Sequence, residues 1–220
     1  METILKNITE GFAAASWLDQ LNLALGIVGV ALMIRRSLWA FPVGLAAVTV
    51  QGGLFFQAKF HADATLQIFF FATLAWGWRH WVKDRGAAPE LPVTTISWRA
   101  RVAWVAGAAA ATALWALTIG RWAGTPMPWR DAFIAAFSVA AQVLQARKNL
   151  ENWPLWVVVN AVAVATFAQA GLAYTALLYA IYLGLAIAGW RAWAKSSAGF
   201  QPADRRDGRH SADQQKGATP

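Results

Sequence analysis

The sequence has no cysteine, which excludes disulfides, thiolate nucleophiles and cysteine-ligated metal sites. It is also poor in charge. Only 14% of its 220 residues are Asp, Glu, Lys or Arg, against 58% hydrophobic, and the mean hydropathy is +0.39. That balance is too apolar for an ordinary soluble domain and points to an integral membrane protein. Ionisable residues are missing from the interiors of the apolar runs and stand only near their ends, as at Asp19, Asp63 and Asp131. Carriers driven by protons or sodium usually keep a carboxylate or histidine relay inside the membrane, so this absence favours a downhill facilitator. A membrane-embedded enzyme would need an inward nucleophile, a ligand set or paired carboxylates. The nearest approach is His61-Ala62-Asp63, at a turn, so no catalytic residue, metal or cofactor is expected. The last apolar run has no lysine for a retinal Schiff base. Residues 1–16 lack a basic segment followed by a long apolar core, so no cleavable signal peptide is expected.

What is present is organised by long apolar stretches. Residues 1–17 read as an interfacial segment, with Ile4, Leu5, Ile8 and Phe12 forming a partly apolar face. Spans are predicted over residues 18–34, 41–58, 64–81, 102–120 and 131–146. Residues 152–190 contain no Asp, Glu, Lys, Arg or His. At ~1.5 Å per residue one helix of that length would far exceed a ~30 Å hydrocarbon core, so the stretch is read as two spans hinged near Gly171. Residues 195–220 turn polar and are expected to form a disordered tail. Seven spans put the termini on opposite faces. Fifteen of the 19 Lys and Arg residues then fall on one face, which is expected to be cytoplasmic, leaving the N-terminus outside. The net charge of +8 is thereby accounted for by topology, without a nucleic-acid partner.

The chain repeats itself. A shift of 112 residues places Arg35-Arg36-Ser37-Leu38 on Arg147-Lys148-Asn149-Leu150, Phe41-Pro42 on Trp153-Pro154, and Gln57-Ala58 on Gln169-Ala170. The same shift places Gly77-Trp78-Arg79-His80-Trp81 on Gly189-Trp190-Arg191-Ala192-Trp193. The expected fold is an all-α membrane protein of seven helices. Two three-helix repeats, 18–82 and 130–194, are joined by a loop and linker helix over 83–129, so both repeats run in the same direction. Residues shared by both repeats are expected to serve the fold. The Gly-Trp-Arg-x-Trp endings read as interfacial anchors, and Pro42 and Pro154 as helix-start devices.

Residues that differ between repeats are better candidates for function. Trp156 and Asn160 replace Gly44 and Val48 of the first repeat. Trp153, Trp156 and Asn160 lie at i, i+3 and i+7, hence on one helical face. Aromatic platforms and an amide on one face suit a flat or cationic ring. Singly, Asn160 could serve a helix-to-helix hydrogen bond, and Trp153 an interfacial anchor. Further uncharged polar residues inside spans are Gln51, Gln67, Gln142 and Tyr179, of which Gln67 and Tyr179 are repeat equivalents.

The run from Arg147 to Trp156, completed by Asn160, and the Gly77–Trp81 motif resemble the bacterial nicotinamide riboside transporters, the PnuC family, over about residues 18–194. The resemblance implies a 3+1+3 fold like that of SWEET sugar transporters, a homotrimer in the inner membrane, and uptake by facilitated diffusion with trapping by a cytoplasmic kinase. It implies substrate contacts at Trp153, Trp156 and Asn160, with Gln67 and Gln142 as polar contacts; Tyr179 is added by the repeat alone. Related members carry thiamine or riboflavin, and a SWEET-like sugar transporter shares the architecture.

Overall fold

In the computed structural model the described residues are 2–85, 92–120 and 127–198. The expected tail beyond 198, and parts of the loops that hold Pro89, Gly124 and Pro126, lie outside them. The chain is all helical, in the order α1 (Glu2–Ala14), α2 (Trp17–Ile34), α3 (Ala40–Gln57), α4 (His61–Arg85), α5 (Trp98–Trp115), α6 (Pro128–Ala146), α7 (Asn152–Gln169) and α8 (Ala173–Ala198). Among the described residues four helices are long and apolar enough to cross a membrane: α2, α3, α8 and the stretch Trp98–Thr118. Of the others, α4, α6 and α7 carry the amides Gln67, Gln142 and Asn160 within their helices.

The 112-residue shift reappears in the backbone. It carries α3, Ala40–Gln57, onto α7, Asn152–Gln169. Arg36 and Lys148 sit at φ 56° and 62°, and Lys59 and Gly171 at 63° and 73°, so four helix ends turn through one left-handed residue at repeat-equivalent positions. Each closes its helix with a six-residue return bond, such as Ser37 N to Leu32 O at 3.0 Å and Asn149 N to Leu144 O at 2.9 Å. This satisfies C-terminal carbonyls that would otherwise lack donors. At α2 the start is equally defined: Ser16 and Asp19 form a reciprocal capping box.

Helices α2–α4 pack in sequence, as do α6–α8, and the two groups meet along α4–α6 and α2–α8. The aromatic endings build the basic end of both seams. Trp81 and Trp193, expected as interfacial anchors, are instead fully buried. The indole of Trp81 donates to the Ala146 carbonyl at 2.9 Å, and that of Trp193 to the Ile34 carbonyl at 3.1 Å. Each therefore caps the first helix of the other group. The energy gained by burying an indole together with a satisfied N–H exceeds what a half-wet anchor gains. The companion residues Trp78 and Trp190 are 37% and 42% exposed, consistent with anchoring. Phe41, Trp81, Trp193 and Trp153 form a continuous chain of ring contacts, with centroids 5.1, 6.0 and 5.4 Å apart in turn.

Three more expectations are adjusted. Helix α4 runs past the predicted end to Arg85, and α8 continues to Ala198 through residues expected to begin the tail. Basic residues in a last turn favour helix continuation because they face the negative end of its dipole. The fourth predicted span keeps α geometry only to Trp115, and Ala116–Gly120 forms a π turn. Helix α1 docks beside the α7–α8 turn, where Asn7 bonds the Gly171 carbonyl and the Ala173 amide, each at 3.1 Å. Its Ile4, Leu5 and Phe12 remain more than half exposed, available to an apolar phase.

The close approach of rings to helix backbones gives a test. A Cβ on Gly189 would lie 2.4 Å from the Trp153 ring, whereas one on Gly184 would meet nothing within 4 Å. Gly189→Ala is expected to destabilise by ~1–3 kcal/mol through overpacking. Gly184→Ala, on the same helix, is expected to be neutral or stabilising by up to ~1 kcal/mol. Thermal unfolding of both variants in detergent checks the contrast.

Candidate functional site

Above the aromatic chain the two helix groups diverge around a cavity of about 320 Å3. All six residues singled out in the sequence line it: Gln67 from α4, Gln142 from α6, Trp153, Trp156 and Asn160 from α7, and Tyr179 from α8. The i, i+3, i+7 spacing on α7 does put its three residues along one face. Their environments differ. Trp153 is 2% exposed, at the cavity floor in edge contact with Trp193, and its indole N–H is buried without a partner. Trp156 is half-buried and fixed by a hydrogen bond from its indole N–H to Gln145 Oε1 at 2.8 Å. Asn160, 7% exposed, donates from Nδ2 to the Trp156 carbonyl at 2.7 Å. That bond spends one amide donor inside the helix, so the carbonyl side of the amide is the part offered to the cavity.

The remaining polar groups are largely uncommitted. Among the described residues the side chains of Gln67 and Gln142 and the hydroxyls of Tyr179 and Tyr182 make no hydrogen bond. Such groups in an apolar surrounding cost stability unless a ligand or water engages them. The Tyr179 ring is held by stacking on Phe167 at 5.3 Å, which orients its phenol without using its oxygen.

Four further polar residues of the lining were not in the predicted set. Gln145 replaces Met33, and Tyr182 replaces Phe70, at repeat-equivalent positions. Both therefore carry the same signal that singled out Trp156 and Asn160: a polar group in one repeat where the other has none. Asn22 and Gln51 face each other across α2 and α3, joined at 2.5 Å. Gln51 is visible in the sequence as an amide inside a span, but its partner could not be inferred without the helix pairing.

The cavity is chemically lopsided. The first group contributes Val30, Met33, Gly44 and Val48, whose equivalents in the second are Gln142, Gln145, Trp156 and Asn160. At these four positions the first group is apolar and the second aromatic or amide-bearing, while Asn22, Gln51 and Gln67 add amides from the first group elsewhere in the lining. None of the lining residues is ionisable except through the two phenols. Among the described residues there is also no group of three or more His, Asp or Glu side chains able to hold a metal. The arrangement can sandwich a flat ring and hydrogen-bond carboxamide or hydroxyl groups, and it offers no counter-charge to a phosphate.

Comparison with known proteins finds transporters. Residues 16–195 match the family model described as nicotinamide mononucleotide transporter. The chain is 32% identical over 180 residues to the riboflavin/roseoflavin transporter RibM of Streptomyces davaonensis, covering 80% of this chain and 84% of that protein. It is 27% identical over 207 residues to the nicotinamide riboside transporter PnuC of Escherichia coli, covering 83% and 87%. Its fold matches the crystal structure of the vitamin B3 transporter PnuC with a TM-score of 0.70 at 20% identity, over 91% of this chain and 90% of that one.

The role of Gln145 can be measured with the molecules named for those relatives. Gln145→Leu removes the acceptor that fixes the Trp156 ring. It is expected to weaken whichever of nicotinamide riboside or riboflavin binds by about 3- to 10-fold, the worth of one hydrogen bond. Phe69→Ala, altering a ring that is 37% exposed and outside the cavity lining, is expected to leave the affinity unchanged. Calorimetric titration of the purified protein separates the two.

Proposed function

This chain belongs to the nicotinamide mononucleotide transporter family, the PnuC family of membrane transporters, and we propose that it carries nicotinamide riboside by facilitated diffusion. The observation that carries the proposal is the cavity lining: five aromatic residues and six amides with no Lys, Arg, His, Asp or Glu. Nicotinamide riboside is a pyridinium nucleoside, and Trp156 supplies the preferred kind of face for a cationic ring. Gln142, Asn160 and Gln67 suit its carboxamide and hydroxyls, with Trp153 as floor and the Tyr179 phenol as a further donor. The mononucleotide adds a phosphate, whose burial without a cationic partner is costly, so it is rejected.

The frame for this activity is a 3+1+3 arrangement. Helices α2–α4 and α6–α8 form parallel repeats about an axis along the membrane normal, with α5 as linker, and the substrate sits between them near mid-depth. The repeated helix bounds and the paired seams support it. The basic turns face the cytoplasm of a bacterial inner membrane, with the N-terminus outside. The chain acts as a homotrimer, transport alternates access without ion coupling, and a cytoplasmic kinase traps the product. A second reading, riboflavin as substrate, is favoured by the 32% identity to RibM, since an isoalloxazine also stacks on tryptophan and its ribityl chain also seeks amides.

Calorimetric titration with nicotinamide riboside, nicotinamide mononucleotide, thiamine and riboflavin decides among these. Binding of the first and silence of the second is expected; riboflavin binding with none for nicotinamide riboside would overturn the assignment. Trp156→Ala is expected to abolish measurable affinity, whereas Trp78→Ala lowers thermal stability more than affinity. In proteoliposomes without kinase, the internal concentration should level at the external one, with or without a proton or sodium gradient.

A further inference from the structure

A glycine inside a long helix forgoes stability that alanine would add, so its presence asks for a reason. At Gly77 and Gly189, which the 112-residue shift relates, the reason is packing. A Cβ would lie 2.9 Å from the Ala146 Cβ at the first and 2.4 Å from the Trp153 ring at the second. Gly44, in the second turn of α3, has no such reason. Its φ is not positive, and a Cβ there would meet only the two terminal methyls of Leu74, at 3.4 and 3.5 Å, which is ordinary contact. Among the described residues no other side chain or helix comes within 4 Å of it. The protein could hold a methyl at this position, and what that methyl would take up is cavity.

The space beside Gly44 is placed for a ligand. Gly44 lines the cavity together with Val48 and Gln51, at i, i+4 and i+7 on one face of α3. Its repeat equivalent is Trp156, which lines the same cavity from the second helix group. Trp156 is fixed by its bond to Gln145 and is only half-buried, so part of its ring stays uncovered. An indole at this position in both repeats would leave no room for a bound ring, and a glycine in both would leave no platform. One of each supplies a platform and the room to use it.

From this pairing we infer that Gly44 is a specificity-determining residue: the space over its Cα receives a flat heteroaromatic ring stacked on Trp156 and limits how large that ring can be. The inference rests on the reading of this cavity as the substrate site. A side chain at residue 44 narrows the slot from α3, and it costs a three-ring system more than a single ring.

Gly44→Ala tests this, because stability and affinity are expected to part. Thermal stability in detergent holds or rises, since alanine suits a helix better and meets Leu74 at ordinary distance. Calorimetric affinity for nicotinamide riboside is expected to fall by at least about tenfold, the effect of one extra methyl in a fitted pocket. Where the wild type binds riboflavin, that affinity falls further. A smaller loss overturns the inference. So does a drop in melting temperature, which would return Gly44 to the glycines that packing demands. Because the chain has no cysteine, Gly44→Cys can be read with N-ethylmaleimide, itself a flat ring. Its thiol is expected to react, and saturating ligand to slow the reaction. Glu10→Cys, at an exposed position on α1, is expected to react at one rate with and without ligand. A Gly44→Cys thiol that ligand does not protect overturns the inference. If the wild type binds neither nicotinamide riboside nor riboflavin, the substrate reading fails by itself. The slot is then judged on the ligand-free protein, where Gly44→Cys must take up N-ethylmaleimide or the inference falls.

Discussion

Two indole–carbonyl hydrogen bonds, exchanged between the halves, are the constraint from which the rest of the architecture follows. A helix ends with carbonyls that have no internal donor, and in an apolar phase such a group costs several kcal/mol if left bare. Here Trp81 covers the end of α6 and Trp193 the end of α2, so neither half completes its own helix termini. Each needs the other at a fixed distance. The rings that reach across must pass close to backbone, which is why Gly77 and Gly189 face Phe41 and Trp153. With bulky rings wedging the halves at one end, the helices separate above them, and that separation is the cavity.

Pseudo-symmetry sets the frame, and departures from it set the chemistry. Where both halves carry the same residue class, as at Phe41 and Trp153 or Trp81 and Trp193, the side chains are buried in the joint. Where they differ, as at Met33 and Gln145, Gly44 and Trp156, or Val48 and Asn160, they line opposite walls of the cavity. A glycine across from a tryptophan is a steric complement as well as a sequence difference: it leaves the space that a ring bound against Trp156 would fill. Trp153 belongs to both sets, as a joint residue by position and a floor residue by exposure.

The repeat was legible because helix length, basic turns and proline starts are local features that a 112-residue shift can match one for one. Four of the cavity residues followed from the same comparison or from α7 periodicity. What sequence could not supply was the direction of each side chain around its helix. Trp78 and Trp81 are three apart in one motif and read alike as anchors, yet the first is exposed and the second is fully buried; their difference depends on where Ala146 lies in space. Asn22 and Gln51 were obscure for the same reason, since each looks like an isolated amide until α2 and α3 are paired.

The distribution of hydrogen bonds separates stability from function. At the joint the indoles of Trp81 and Trp193, the four helix ends and Lys148 with Asp84 are engaged, whereas Asn152 Oδ1 and Trp153 Nε1 are buried without a partner. In the cavity Asn22, Gln51, Gln145, Trp156 and Asn160 are engaged, whereas among the described residues Gln67, Gln142, Tyr179 and Tyr182 make no side-chain hydrogen bond. Gln142 is buried and the other three are half-buried, so a ligand that offers matching donors and acceptors gains hydrogen bonds there, whereas one that brings a net phosphate charge adds a cost that no residue of the lining offsets. Selectivity in this cavity is thus written as much by the charges it lacks as by the rings and amides it presents.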